Sequence, residues 1–246
     1  MQITHERLTL GSGFDPVVER EHVLRYEFAR NLVEGKDVLD IACGSGYGSQ
    51  LLARAGARSV VGVDVSAEAV QYAAGRHSSE RLRFAVGNAE SLNEIQDKSF
   101  DVVISFETIE HLNNVDRYLS EIRRVLRPGG IYVVSTPDRR LASPLYLLSG
   151  RPRNTFHARE FTRSELLELL TRRFEVQECL GQAYVNRALA FWPVQVFFKG
   201  FCNLLRRFGA YRFVERHYHL ASGLEVRRRD KGIARFWLVK CMKPAE

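Results

Sequence analysis

No two of the four cysteines in this 246-residue chain (Cys43, Cys179, Cys202 and Cys241) stand close enough to form a C-x-x-C pair. That argues against a zinc knuckle and a disulfide framework, and points to a reducing, cytoplasmic setting. The first fifteen residues, MQITHERLTLGSGFD, lack the continuous apolar core of a secretory leader, so export is not expected. Internal repeats and low-complexity tracts are absent too. The most apolar stretch of residues 184–231 is interrupted by Pro193, Gln195 and Lys199 and makes a poor membrane span. What is left is an ordinary globular composition on a chain long enough to bury a sizeable core.

The formal net charge of +7 is confined to one region. Residues 184–231 carry ten basic and three acidic side chains, so the rest of the chain is balanced. The segment is rich in aromatics interleaved with arginine and breaks the rhythm of the chain before it. It reads as a helical lid, a contact in a homodimer, or an interfacial helix making peripheral contact with the inner face of an anionic membrane. The lid is favoured, and nucleic acid is not expected as a partner, because aromatic and basic residues together are a weak sign of it.

From about residue 20 to 180 short apolar runs alternate with helical patterns, the signature of βαβ units around a mostly parallel sheet. Strands are expected at 37–42, 59–65, 82–88, 100–106, 130–137 and 174–180, with an antiparallel strand at 233–242. In the first helix, EREHVLRYEFARNLV places Val23, Tyr26, Phe28, Leu32 and Val33 on or near one stripe. Thr162 and Glu165 have the spacing of a capping box for a later helix.

VLDIACGSGYGS (38–49) follows the first strand and opens a helix, where a parallel sheet places a nucleotide-like ligand. Gly44 and Gly46 let the backbone approach that ligand closely. A dinucleotide fingerprint would need glycine or alanine at 49, where Ser49 stands. Asp40, just before the loop, suits a cationic ligand better than a pyrophosphate. Asp64 ends the second strand, where a carboxylate can accept from both ribose hydroxyls. Asn88, Ala89 and Glu90 form a polar turn after the third strand, suited to adenine.

These stretches together (LDIACGSG, GVDVS, GNAESL, FDVVISFETIEHL and EIRRVLRPGGIYVVSTP) resemble the class I S-adenosylmethionine-dependent methyltransferases over residues 20–183 plus the last strand. Ala42 and Asn88 depart from the family's usual glycine and aspartate. The resemblance implies an α/β, Rossmann-like seven-stranded sheet in the order 3-2-1-4-5-7-6 with an antiparallel last strand, helices on both faces, and 184–231 inserted before that strand within a single domain. It also implies S-adenosyl-L-methionine as cofactor, held by Asp40, Ala42, Cys43, Gly44, Ser45, Gly46, Asp64, Val65, Asn88, Ala89, Glu90 and Phe106. A nucleotide-binding oxidoreductase and a noncatalytic cofactor-binding module are the alternatives of other classes.

A hydroxyl acceptor must lose its proton, which calls for a base or a metal at the acceptor side. FETIEHL (106–112) falls there, and a helix starting near Glu107 puts Glu107, Glu110 and His111 on one face. His111 is the candidate general base, and His157 in NTFHAREFT adds a second imidazole from a distant loop. The four side chains suit Mg²⁺, Mn²⁺ or Zn²⁺, and E-x-x-E-H with a later His resembles the metal-binding pattern of ubiquinone-biosynthesis O-methyltransferases and small-RNA 3′-end methyltransferases. Acids in a first helical turn also favour the helix dipole, which leaves a purely structural role open. HERL, EREHVLRYEFA and FHAREFT look most like bacterial methyltransferases of surface-polysaccharide and other glycosyl biosynthesis, implying a sugar or glycolipid acceptor, with a quinone-type phenol second. His22 and Tyr26 would line the acceptor pocket.

Overall fold

The computed structural model describes residues 16–186 and 232–245. Seven strands form one sheet: β1 (Asp37–Ile41), β2 (Ser59–Asp64), β3 (Leu82–Val86), β4 (Phe100–Phe106), β5 (Leu126–Pro137), β6 (Glu175–Asn186) and β7 (Gly232–Met242). The order is β3-β2-β1-β4-β5-β7-β6, as expected. β1 to β5 pair in parallel, and β7 runs antiparallel to both β5 and β6. The helices are α1 (Pro16–Ala29), α2 (Tyr47–Arg54), α3 (Ala67–His77), α4 (Val115–Val125), two single turns α5 (Arg139–Ala142) and α6 (Tyr146–Ser149), and α7 (Arg163–Thr171).

The central strands are apolar without alternation because both faces are covered. Along β4, Val103 enters the layer beneath α4 and α7, with Leu119, Ile122 and Leu166, while Val102 and Ile104 enter the layer beneath α1 and α2, with Tyr26, Ala29 and Leu52. Local signals set the helix starts. Ser66 accepts from the Ala69 N–H, Asn114 from the Arg117 N–H, and Thr162 and Glu165 complete the expected capping box. β1 has β2 on one side and β4 on the other, so the sheet's connections diverge here and open a crevice at the carboxyl ends of these strands.

Four local expectations need correction. β5 begins at Leu126, before the expected start at 130, so Pro128, Gly129 and Gly130 already lie within the strand. β6 continues to Asn186, beyond the expected end at 180, because its whole length pairs with β7. On α1 the buried face includes Glu21 and Arg25 beside Tyr26 and Ala29, whereas Val23 and Phe28 are only half-buried. No α-helix starts at Glu107; a single 3₁₀ turn spans Ile109–His111, and α4 begins only at Val115. Residues 187–231, which carry the basic segment expected as lid, dimer contact or membrane contact, and HERL near the start, lie outside the described residues. No helix among the described residues is long and apolar enough to cross a membrane.

Candidate active site

The loop after β1 coils through three left-handed residues, Ala42 (φ 57°), Gly44 (φ 54°) and Gly46 (φ 81°). Only glycine takes such torsions freely, so Ala42 carries about 1 kcal/mol of backbone strain. The coil turns the Gly44 N–H onto the Asp64 carboxylate (3.0 Å), which also accepts from the Ser66 N–H (2.9 Å). The end of β2 is thereby fixed to the glycine loop. At the end of β3, Asn88 accepts from the Glu90 N–H through its own side chain (2.8 Å), and Glu90 accepts from the Asn114 N–H (2.8 Å).

These loops wall a cleft of about 530 Å³. Of the residues assigned to the cofactor from sequence, Ala42, Cys43, Gly44, Ser45, Asp64, Val65, Asn88, Ala89, Glu90 and Phe106 line it, and Asp40 and Gly46 do not. Asp40 is fully buried behind the loop, accepting from Ser49 Oγ at 2.6 Å and Tyr26 OH at 3.2 Å. Burial pushes its carboxyl up to about 7, against the two hydrogen bonds that pull it down. Gly46 is needed for packing, since a side chain there would overlap Phe84 and Ala73. A side chain at Gly48 would strike the Tyr26 ring, so this glycine lets α1 dock on α2.

The other end of the cleft is lined by His22, Tyr26, Glu107, Thr108, His111 and Phe156. The residues of FETIEHL do not share one helical face, because the backbone turns left-handed at Glu107 (φ 51°). The Glu107 side chain is held by partners other than those of Glu110 and His111. Its Oε1 accepts from Ser135 Oγ (2.7 Å) and pairs with the Arg25 guanidinium (3.1 Å). Glu110 turns inward, is fully buried and accepts from Thr136 Oγ1 at 3.0 Å. Burial, then the charge of Glu107, holds its carboxyl well above the usual range.

A backbone clamp brings in the distant histidine: the N–H groups of Ala158 and Arg159 both donate to the Glu110 carbonyl, at 2.8 and 3.1 Å. His157 then lies edge to face with His111, ring centres 4.9 Å apart. His111 Nδ1 contacts the Phe156 carbonyl (3.1 Å), and His157 Nδ1 contacts the buried Glu160 carboxylate (2.7 Å). Glu110, His111 and His157 each offer one ligand atom within 4.8 Å of the others. Glu107, expected as a fourth ligand, is not in this group.

Sequence inspection missed Arg25, although it is entirely buried. Arg25 Nε donates to Gln182 Oε1 (2.8 Å), and its guanidinium lies 4.4 Å over the Phe236 ring. Gln182 donates in turn to the Glu21 carbonyl (2.9 Å), and Arg235 pairs with the Glu21 carboxylate (3.2 Å). The only sequence sign was Glu21 and Arg25 one turn apart on the covered side of α1, which looks the same as a surface ion pair.

Residues 39–134 match the family described as methyltransferase domain. A probable S-adenosylmethionine-dependent methyltransferase of Mycolicibacterium smegmatis is 40% identical over 184 residues, 74% of this chain and 68% of the relative. The ubiquinone biosynthesis O-methyltransferase of Brucella ovis is 34% identical over 163 residues, 62% of this chain and 65% of the relative. The chain thus spans about two thirds of the length of each. A solved SAM-dependent methyltransferase from Thermotoga maritima has the same fold, with TM-score 0.63, 20% identity and coverage of 92% of each chain.

Proposed function

The chain belongs to the S-adenosylmethionine-dependent methyltransferases, and from this membership we propose that it methylates a hydroxyl group of a sugar or glycolipid in surface-polysaccharide biosynthesis. The cleft suits the cofactor. A Cβ built on Gly44 meets nothing within 4 Å, so the loop leaves open space beside its backbone. Val65 is 69% exposed on the cleft wall, an apolar face that a flat base would cover. Asp64, already oriented by two N–H groups, would hold the ribose hydroxyls, and Asn88 with Ala89 the adenine edge. When bound, S-adenosylmethionine supplies a methyl group activated on sulfonium sulfur, so the protein's task is alignment and proton removal.

The observation that carries hydroxyl transfer is the group Glu110, His111 and His157, of which His111 lines the acceptor end of the cleft. One carboxylate and two imidazoles fit a divalent cation such as Mg²⁺, Mn²⁺ or Zn²⁺. The Glu160 carboxylate on His157 Nδ1 supports this reading, since metal-binding histidines are held by such partners. A cation there would acidify an acceptor hydroxyl. The wall of His22, Tyr26, Glu107 and Thr108 offers several hydrogen-bonding groups to a polyhydroxylated acceptor, and Phe156, 64% exposed, offers it a flat face. The Brucella relative favours a second reading, a quinone-type phenol.

Tritium transfer from methyl-labelled S-adenosylmethionine tests both, offered a glycolipid extract and a simple catechol, with Mn²⁺ or with excess chelator. Alkali-stable label in the glycolipid is expected, and label only in the catechol would shift the reading to phenols. Full activity in chelator would remove the metal.

A further inference from the structure

A histidine that binds a cation has used the lone pair it would need to accept a proton. If Glu110, His111 and His157 hold the metal, as proposed above, His111 cannot also be the base assigned to it from sequence. Among the described residues that line the acceptor end of the cleft there is one more imidazole. His22 sits on α1 one turn before Tyr26, and both line the cleft together with Glu107 and His111.

We propose that His22 is the catalytic base that takes the proton of the acceptor hydroxyl. Among the described residues His22 has no hydrogen-bond or ion-pair partner, unlike His157, which is held by Glu160. A half-buried imidazole whose nitrogens are uncommitted, turned to a cleft, has its hydrogen-bonding capacity left for a ligand. Burial, then the positive charge of Arg25 one turn away, holds its pKa well below the ordinary value, so the ring is neutral and able to accept at neutral pH. The charged groups around it are consistent with this. Arg25 shares its helix, Glu107 of the same cleft lining is paired with that arginine, and Tyr47 of α2 keeps its proton because burial raises its pKa.

The step balances. The acceptor O–H bond breaks and its proton passes to a His22 nitrogen, while the oxygen's electron pair forms the new bond to the methyl carbon. The methyl–sulfur bond breaks with its pair staying on sulfur, leaving a neutral thioether. The imidazolium then releases its proton to solvent, which the nearby Arg25 charge favours.

This inference rests on the hydroxyl-transfer reading, and the experiment separates the two. His22→Gln and His22→Ala are compared with wild type in the tritium assay, with calorimetry of S-adenosylhomocysteine as the control for folding. The expected result is a fall in kcat of about 100-fold or more with little change in KM. Cofactor-product affinity should stay within about 3-fold, the acid limb of the pH–kcat profile should disappear, and added imidazole should partly restore His22→Ala. Carbon-13 shifts of wild-type His22 should report a neutral ring at pH 6. Activity of His22→Gln within about 3-fold of wild type would overturn the inference alone, as would loss of activity only together with S-adenosylhomocysteine binding, or an imidazolium at pH 6. Absence of label from wild type with every hydroxyl acceptor offered would overturn the hydroxyl-transfer reading, and His22's role with it.

Discussion

The two ends of the cleft are built in different ways. The cofactor end is made from the tips of adjacent parallel strands, and its key contacts are between neighbours in the sheet: Gly44 N–H on Asp64, Ser66 N–H on the same carboxylate, and Asn88 on its own turn. The acceptor end is assembled from segments far apart in sequence: α1, the turn after β4, the loop carrying His157, and β6 through Gln182. The first is specified by backbone torsions and strand order. The second depends on side chains meeting after the sheet has formed. Damage at one end should therefore leave the other working.

The largest expected effect is at the cofactor end. Asp64→Ala removes the acceptor of two backbone N–H groups, each charge-assisted bond contributing about 1.5–3 kcal/mol, along with the proposed ribose contact. Calorimetry should show S-adenosylhomocysteine affinity falling by about 100-fold or more. Mn²⁺ binding at the proposed metal site should change by less than about 3-fold; a parallel loss of both would mean that the two ends form one cooperative unit.

Asp40 lies behind the glycine loop but bonds to Tyr26 of the acceptor wall, so it joins the two ends. Its carboxyl is raised from 3.8 to about 7, so the folded protein holds this proton more tightly than the unfolded chain. The associated stability is fully present below about pH 4 and is lost as pH rises through about 7, on the order of a few kcal/mol. Asp40→Asn, which is always neutral, should be more stable than wild type at pH 8, with the difference shrinking towards pH 4. Urea unfolding across this range measures it, and a pH-independent difference would assign the effect to packing.

The smallest effect is at Ala42, whose φ of 57° strains any residue with a Cβ. Ala42→Gly should relieve that strain, less the unfolded-state entropy glycine adds, for a net change of at most about 1 kcal/mol. A thermal melt would detect it, and a clear destabilisation would show that the methyl group is needed for packing in the loop.

The contrast also explains what was legible in the sequence. β1, β2 and β4 could be read because buried strands are short apolar runs, β7 because it alternates as an antiparallel strand does, and the glycine loop because left-handed torsions leave glycines at fixed places. That His111 and His157 belong together was implied by the resemblance to metal-binding methyltransferases, and their rings do meet. The direction of Glu107 was not legible, since glutamate is an ordinary helix former and nothing in FETIEHL marks a left-handed turn. Arg25 was hidden for a different reason: its partners Gln182 and Phe236 are more than 150 residues away, and sequence order does not reveal which arginine will be covered.

The clamp between the Glu110 carbonyl and the amides of Ala158 and Arg159 has a consequence for how such an enzyme diversifies. Because it is made entirely of main-chain atoms, the side chains at 158 and 159 take no part in it. Substitutions at these positions should then leave the clamp, and with it the place of His157, intact, although the Arg159 guanidinium also lies over the Phe161 ring.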